Sequence, residues 1–166
     1  MYLFSLTMSE FDDAYLRDRD KYWMKEAIRV AKTAEEVGEV PVGAVIIKND
    51  ILIAESGNQS ILKNDPTAHA ELSAIRNAGE YLDNYRLPHT TLYVTLEPCM
   101  MCAGAMLHAR IQRLVFGAYD FRAGVAGGCY DWLMSEKHLH KISITGGVNQ
   151  KECAQMLKDF FKAKRI

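Results

Sequence analysis

The chain has 166 residues, 49% hydrophobic and 25% charged, which is the composition of one globular domain and excludes a disordered polar chain. No apolar run reaches the roughly 18–20 residues of a membrane span, and the apolar start Met1–Met8 lacks a basic flank and runs into Glu10–Asp13, so the expectation is a cytoplasmic protein. A formal net charge of −1 excludes nucleic-acid binding through overall charge and leaves only a local basic surface at Lys158, Lys162, Lys164 and Arg165.

In chain order, residues 1 to about 20 carry many charges and little periodicity, so they read as an N-terminal extension, frayed or laid on the surface, ahead of a domain spanning residues 21–166. Met24, Ala27, Ile28, Ala31 and Ala34 recur at three- and four-residue spacing and predict an amphipathic helix from Tyr22, stopped by Gly38. Val42–Ile47 and Ile51–Ala54 are apolar runs joined by Asn49-Asp50, the pattern of a hairpin. Asp65-Pro66 reads as an N-cap followed by proline at the first helical position, launching a helix through His69 and Glu71 to about Gly79.

Thr90–Thr95 is a third strand, and Pro98 opens a helix carrying Cys99, Cys102, Met106 and Leu107. Leu114–Phe116 is a fourth strand, Gly124, Gly127 and Gly128 mark a loop, and Trp132 and Leu133 form a short helical turn. Ile142–Thr145 is a fifth strand, and Gln150–Lys164 is a terminal amphipathic helix. Strand and helix alternate after the hairpin, which predicts parallel strands with helical crossovers: a three-layer α/β/α sandwich around a five-stranded mixed sheet. In such sheets ligands bind beyond the carboxyl ends of the strands, where Cys99 and Cys102 fall.

Four cysteines without an export signal read as metal or redox groups rather than a disulfide framework. Cys129 and Cys153 stand apart and read as small buried or partly buried hydrophobes. Cys99 and Cys102, three apart at a helix start, suit a single metal ion, although the spacing alone also fits a thioredoxin-like redox pair. His69 and Glu71, each ordinary by itself, change the reading together. One imidazole and two thiolates leave the fourth tetrahedral position of zinc open, as in a catalytic site. Two thiolates cancel the charge of the ion, so a water there is less acidified than over three imidazoles, and a nearby carboxylate is needed as base.

This is the H-x-E…P-C-x-x-C pattern of the zinc deaminases, the cytidine and deoxycytidylate deaminase superfamily. Glu39–Ala44, Asp65–Glu71 and Thr91–Ala105 resemble the bacterial tRNA-specific adenosine deaminases more closely, and the resemblance runs from about residue 22 to the end. It implies a cytidine deaminase-like fold, one Zn2+ per subunit on His69, Cys99 and Cys102, a homodimer, and a tRNA anticodon stem-loop as substrate, typically the arginine acceptor reading ACG. The implied reaction converts adenosine at wobble position 34 to inosine and releases ammonia. Glu71 takes a proton from the attacking water, whose oxygen adds to C6 of the purine, and returns protons to the ring nitrogen and the leaving amine.

By the same resemblance Asn58 bonds the base or its ribose, the backbone of Ala70 fixes the purine edge, and Pro41 and Val42 wall the pocket. Asp120 and Asp131 match positions close to bound RNA, and Phe161, Lys162, Lys164 and Arg165 lie on a helix that meets the RNA strand. Asn58 is equally a turn former, and the basic tail equally a solvated helix end. The chain departs from the family at Gln59, Met134 and Ser135, where basic or histidine residues are usual, which puts individual RNA contacts in doubt. His89, His108, His138 and His140 match no catalytic motif, and the last two read as surface residues. Met100, Met101 and Met106 read as packing groups, in the core or at a dimer seam. Two rivals share the signature: a deaminase of free guanine or cytosine, and a zinc-stabilised nucleic-acid-binding subunit without catalysis, against which the intact Glu71 argues.

Overall fold

The computed structural model describes residues 8–164, with side chains from residue 12 onward. Within them the chain forms α1 (Met8–Glu36), β1 (Gly43–Lys48), β2 (Ile51–Gly57), α2 (Ser60–Lys63), α3 (Ala70–Leu82), β3 (Thr90–Leu96), α4 (Met100–His108), β4 (Arg113–Ala118), a 3-10 turn at Trp132–Met134, β5 (Ser143–Thr145) and α5 (Gln150–Ala163). The strands make one sheet in the order β2-β1-β3-β4-β5.

β1 pairs antiparallel with both β2 and β3, while β3, β4 and β5 run parallel. β2 and β3 therefore point the same way, and α3 crosses over β1 to join them. The hairpin turn places Asn49 and Asp50 at φ 52° and 58°, the two positive central angles of a tight turn whose twist suits antiparallel strands.

Period-two alternation assigns each strand to two cores. Ala44, Ile46, Leu92, Val94, Leu114 and Phe116 face the layer of α3 and α4, with Ala70, Ala74, Ala103 and Met106. Val45, Ile47, Tyr93 and Val115 face the other layer, with Met24, Ala27 and Ala31 of α1 and Cys153 and Met156 of α5. Three layers and a mixed five-stranded sheet follow, as the alternation of elements predicts. Gly43 is where α1 comes closest: a Cβ there would lie 2.2 Å from the Ala27 carbonyl oxygen.

Four helices differ from the sequence reading. α1 begins at Met8 rather than at Tyr22, so residues 8–20 continue the helix; residues 1–7 lie outside the described residues. The contact that the pattern could not reveal is polar. Asp20, 4% exposed, accepts bonds from Arg113 Nη1 at 2.7 Å and Nη2 at 2.6 Å and from the Tyr93 hydroxyl at 2.9 Å.

α3 begins at Ala70, not beside Pro66. The Asp65 carboxylate accepts from the amide of Thr67 at 2.8 Å and from its hydroxyl at 2.7 Å, which closes a turn and delays the helix. The helix then runs past Gly79 to Leu82 and ends on Asp83 in the left-handed region. α4 begins at Met100 rather than at Pro98, with Cys99 at its N-cap. The short α2 was not anticipated.

Candidate metal centre and catalytic site

The delayed start of α3 sets the first ligand. His69 takes the N-cap position with extended backbone (φ −68°, ψ 153°), and Glu71 follows in the first turn. Cys99 caps α4 in the same way (φ −80°, ψ 173°), with Cys102 on the first turn. Both helices abut the same end of β3, so two helix N-termini, each with unpaired amides and the positive end of its dipole, face one point.

His69 Nδ1 lies 3.7 Å from Cys99 Sγ and 3.5 Å from Cys102 Sγ, and the two sulfurs are 3.8 Å apart. Zinc–sulfur bonds of about 2.3 Å, zinc–nitrogen bonds of about 2.0–2.1 Å and tetrahedral angles require edges of about 3.8 Å and about 3.6 Å. The three donor atoms thus have the spacing of one face of a zinc tetrahedron. They are the cluster of metal-ligating side chains found among the described residues.

The three donors and Glu71 perturb one another strongly. Hydrogen bonding from Cys102, opposed by burial and aided by His69, holds the Cys99 thiol down at about 3. Cys102 is pushed up by its bond to Cys99, then by burial and the Glu71 charge. His69 is raised by its hydrogen bond to Cys99. Glu71 is 4% exposed, and burial drives its carboxyl up to about 7. A carboxyl poised near neutrality can take a proton and give it back.

The structure brings Pro41, Val42, Asn58 and Ala70 to this end of the sheet. Pro41, Val42 and Ala70 are buried. The Val42 carbonyl accepts from the Asn58 amide at 2.9 Å, and the Ala68 carbonyl accepts from the Gln59 amide at 2.9 Å, which ties the β2 exit to the residue before His69. The Asn58 side-chain amide donates to Glu39 Oε2 at 3.1 Å.

Asp120 donates its backbone amide to Glu97, two residues before Cys99, while its carboxylate caps the amides of Arg122 and Ala123. Asp131 is exposed at the N-cap of the 3-10 turn. Phe161, Lys162 and Lys164 are exposed on the last turn of α5, with Lys164 Nζ 5.3 Å from the Phe160 ring centre, and nothing among the described residues bonds them to the metal centre. Arg165 lies outside the described residues.

Several expectations are corrected. Cys129 is exposed, because the loop that carries it turns outward after Gly128; Cys153 is buried as expected. His138 and His140 are half-buried staples rather than surface groups: their Nε2 atoms lie 2.7 Å from the carbonyls of Trp132 and Ile111. Met106 is fully buried in its own core, whereas Met100 and Met101 are exposed on the first turn of α4.

Sequence reading missed Glu97. It is 2% exposed and accepts backbone N–H bonds from Asp120 at 2.9 Å, Ala126 at 2.7 Å and Gly128 at 2.9 Å. A Cβ at Gly124 or Gly128 would come within 2.4 Å or 2.1 Å of that carboxylate, so the loop closes on it only with glycine at both positions. Val125 donates its amide to the Pro98 carbonyl at 3.1 Å, strapping the same loop to the cysteine helix. A charge directly after an uncharged strand rich in β-branched residues was the available signal, since buried carboxylates require donors.

The geometry agrees with what the chain is similar to. The family model described as MafB19-like deaminase matches residues 18–165. The tRNA-specific adenosine deaminase of Buchnera aphidicola subsp. Baizongia pistaciae is 53% identical over 150 residues, covering 90% of this chain and 93% of its own. That of Haemophilus influenzae is 48% identical over 147 residues, covering 88% and 85%. A solved structure from work on A-to-I editing by tRNA:A34 deaminases at the wobble position of transfer RNA superposes with a TM-score of 0.77 at 43% identity, covering 82% of this chain and 99% of that one. The chain belongs to the tRNA-specific adenosine deaminase family.

Proposed function

We propose that this chain catalyses the hydrolytic deamination of adenosine to inosine at wobble position 34 of a tRNA anticodon, releasing ammonia, with one Zn2+ per subunit held by His69, Cys99 and Cys102. The observation that carries the reading is the triangle of donor atoms with the edges of a zinc tetrahedron and a buried carboxyl beside it, in a family of tRNA adenosine deaminases.

Zinc, when bound, supplies the Lewis acidity that lowers the pKa of the attacking water. Glu71 does the proton work in two relays: it takes one proton from that water as the oxygen adds to C6 and gives it to the ring nitrogen, then takes the remaining hydroxyl proton and gives it to the amine as the C6–N bond breaks, so that adenosine and water become inosine and ammonia. Its burial excludes bulk water from the transfer and keeps the carboxyl poised for both directions. Pro41, Val42 and the Ala70 backbone enclose the purine, and Asn58 bonds the nucleoside. Asp120, Asp131, Phe161, Lys162, Lys164 and Arg165 meet the anticodon stem-loop.

The protein works in the cytoplasm, where its substrate is, and no helix among the described residues is long and apolar enough to cross a membrane. It acts as a homodimer whose seam includes the exposed Met100 and Met101, burying more than about 2,000 Å2 in total. A monomer in light scattering at micromolar concentration would remove that part.

The test is sequencing of an anticodon stem-loop after incubation, scoring adenosine-to-guanosine reads at position 34, with zinc measured by elemental analysis. Conversion by the wild type and its loss in Glu71→Ala with zinc retained are expected. Turnover of free guanine or cytosine with no action on RNA, or RNA binding without ammonia release, would replace the reading.

A further inference from the structure

We infer that Glu39 is a positioning residue that fixes the flip of the Asn58 carboxamide, so that Asn58 turns its oxygen to the nucleoside and accepts there from a hydroxyl or an amine; this rests on the function proposed above. Glu39 is 1% exposed, in the segment between α1 and β1. Its Oε1 accepts the Leu62 amide at 2.7 Å and its Oε2 accepts the Asn58 side-chain amide at 3.1 Å.

A carboxylate flanked by donors can only accept, so Asn58 must present Nδ2 to Glu39. The carboxamide is planar, and its Oδ1 then points away from Glu39. Among the described residues nothing donates to that oxygen. The backbone leaves little alternative, because Asn58 is pinned by its own amide to the Val42 carbonyl at 2.9 Å, and Leu62 is fixed in α2.

Adenine's ring nitrogens N1, N3 and N7 are acceptors and cannot pair with Oδ1. The ribose hydroxyls and the C6 amine can. Glu39 thereby fixes where Asn58 offers the nucleoside an acceptor, without touching the nucleoside itself.

The experiment exchanges the charge across the pair, using zinc-loaded full-length protein and an anticodon stem-loop. In Glu39→Gln the Leu62 amide holds the glutamine oxygen, its NH2 faces Asn58, and Asn58 must turn its oxygen inward and aim NH2 at the substrate. In Asn58→Asp two carboxylates meet. Each single variant is expected to lose about tenfold to a hundredfold in kcat/KM, the factor for one substrate hydrogen bond.

The double variant Glu39→Gln/Asn58→Asp restores a donor facing an acceptor with an oxygen left for the substrate, and should recover most of the loss at unchanged zinc content. Losses that multiply in the double variant, or Glu39→Gln indistinguishable from wild type, would overturn the inference. An inactive wild type would instead overturn the deaminase reading beneath it. Should Glu39→Gln fail to fold, exchange of the Asn58 side-chain amide protons in the wild type decides the point: one slowed proton supports the pairing, and two fast ones overturn it.

Discussion

Replacing Glu71 with glutamine keeps size and shape but removes the proton carrier, and it should make the protein more stable while making it inactive. Burial pushes this carboxyl from 4.5 to about 7, against the opposing pull of His69. A carboxyl that is easier to protonate folded than unfolded makes the folded chain bind the proton through that window. The stability it contributes is therefore full below 4.5 and is lost as pH rises through about 7. The difference corresponds to about 3 kcal/mol.

Glutamine is neutral throughout, and because the Glu71 charge also raises His69 and Cys102, the comparison reads the loss of that charge from the whole group. In chelated protein, Glu71→Gln should match wild type near pH 4.5 and exceed it by about 3 kcal/mol at pH 8, or roughly 6–12 °C in Tm for a chain of this size. In zinc-loaded protein the same variant should lose about 10²- to 10⁴-fold in kcat. Calorimetry across pH 4.5–8 and inosine formation read the two effects. A Tm difference that does not grow with pH would refute burial as the cause of the raised pKa. Activity within a few-fold of wild type would refute the proton role.

Glu97→Ala should release the amides of Asp120, Ala126 and Gly128, seen as faster hydrogen exchange at Ala126 and Gly128 with at least about a tenfold loss in kcat/KM, since buried N–H groups lose their acceptor; unchanged exchange would contradict the strap. Asp20→Ala strands the Arg113 guanidinium and the Tyr93 hydroxyl and should cost about 3–5 kcal/mol in urea unfolding. A cost under about 1 kcal/mol would show that the ion pair does not anchor α1. Lys162→Ala/Lys164→Ala should weaken stem-loop binding and lower the salt slope by about 1–2, as expected for two lost phosphate contacts. An unchanged slope in a salt titration would place the RNA elsewhere.

The chemistry was readable from residue types at fixed spacing. His69, Glu71, Cys99 and Cys102 carry side chains whose combination has few uses, and the apolar periods of two and 3.6 residues specify strands and helices wherever one face is buried. The same periods fail where a position facing inward is charged. Asp20, Glu39 and Glu97 look like solvated residues in a linear pattern, because their partners lie 19 to 93 residues away along the chain, as with Asn58 for Glu39 and Arg113 for Asp20. The start of α3 escapes the linear pattern for a related reason. Asp65 can cap a helix or close a turn, and the choice between them rests on what the next residues pack against.

The sequence alone determined the layer architecture and singled out the candidate metal donors, since both follow from local periodicity and from the intrinsic chemistry of imidazole, thiol and carboxyl. Only the tertiary structure decided which buried carboxylates hold which loops, where His69 leaves the backbone, and that the three donors meet at the edges of a zinc tetrahedron. Those are relations between distant segments, and distance along the chain carries no information about distance in space until the sheet brings the segments together.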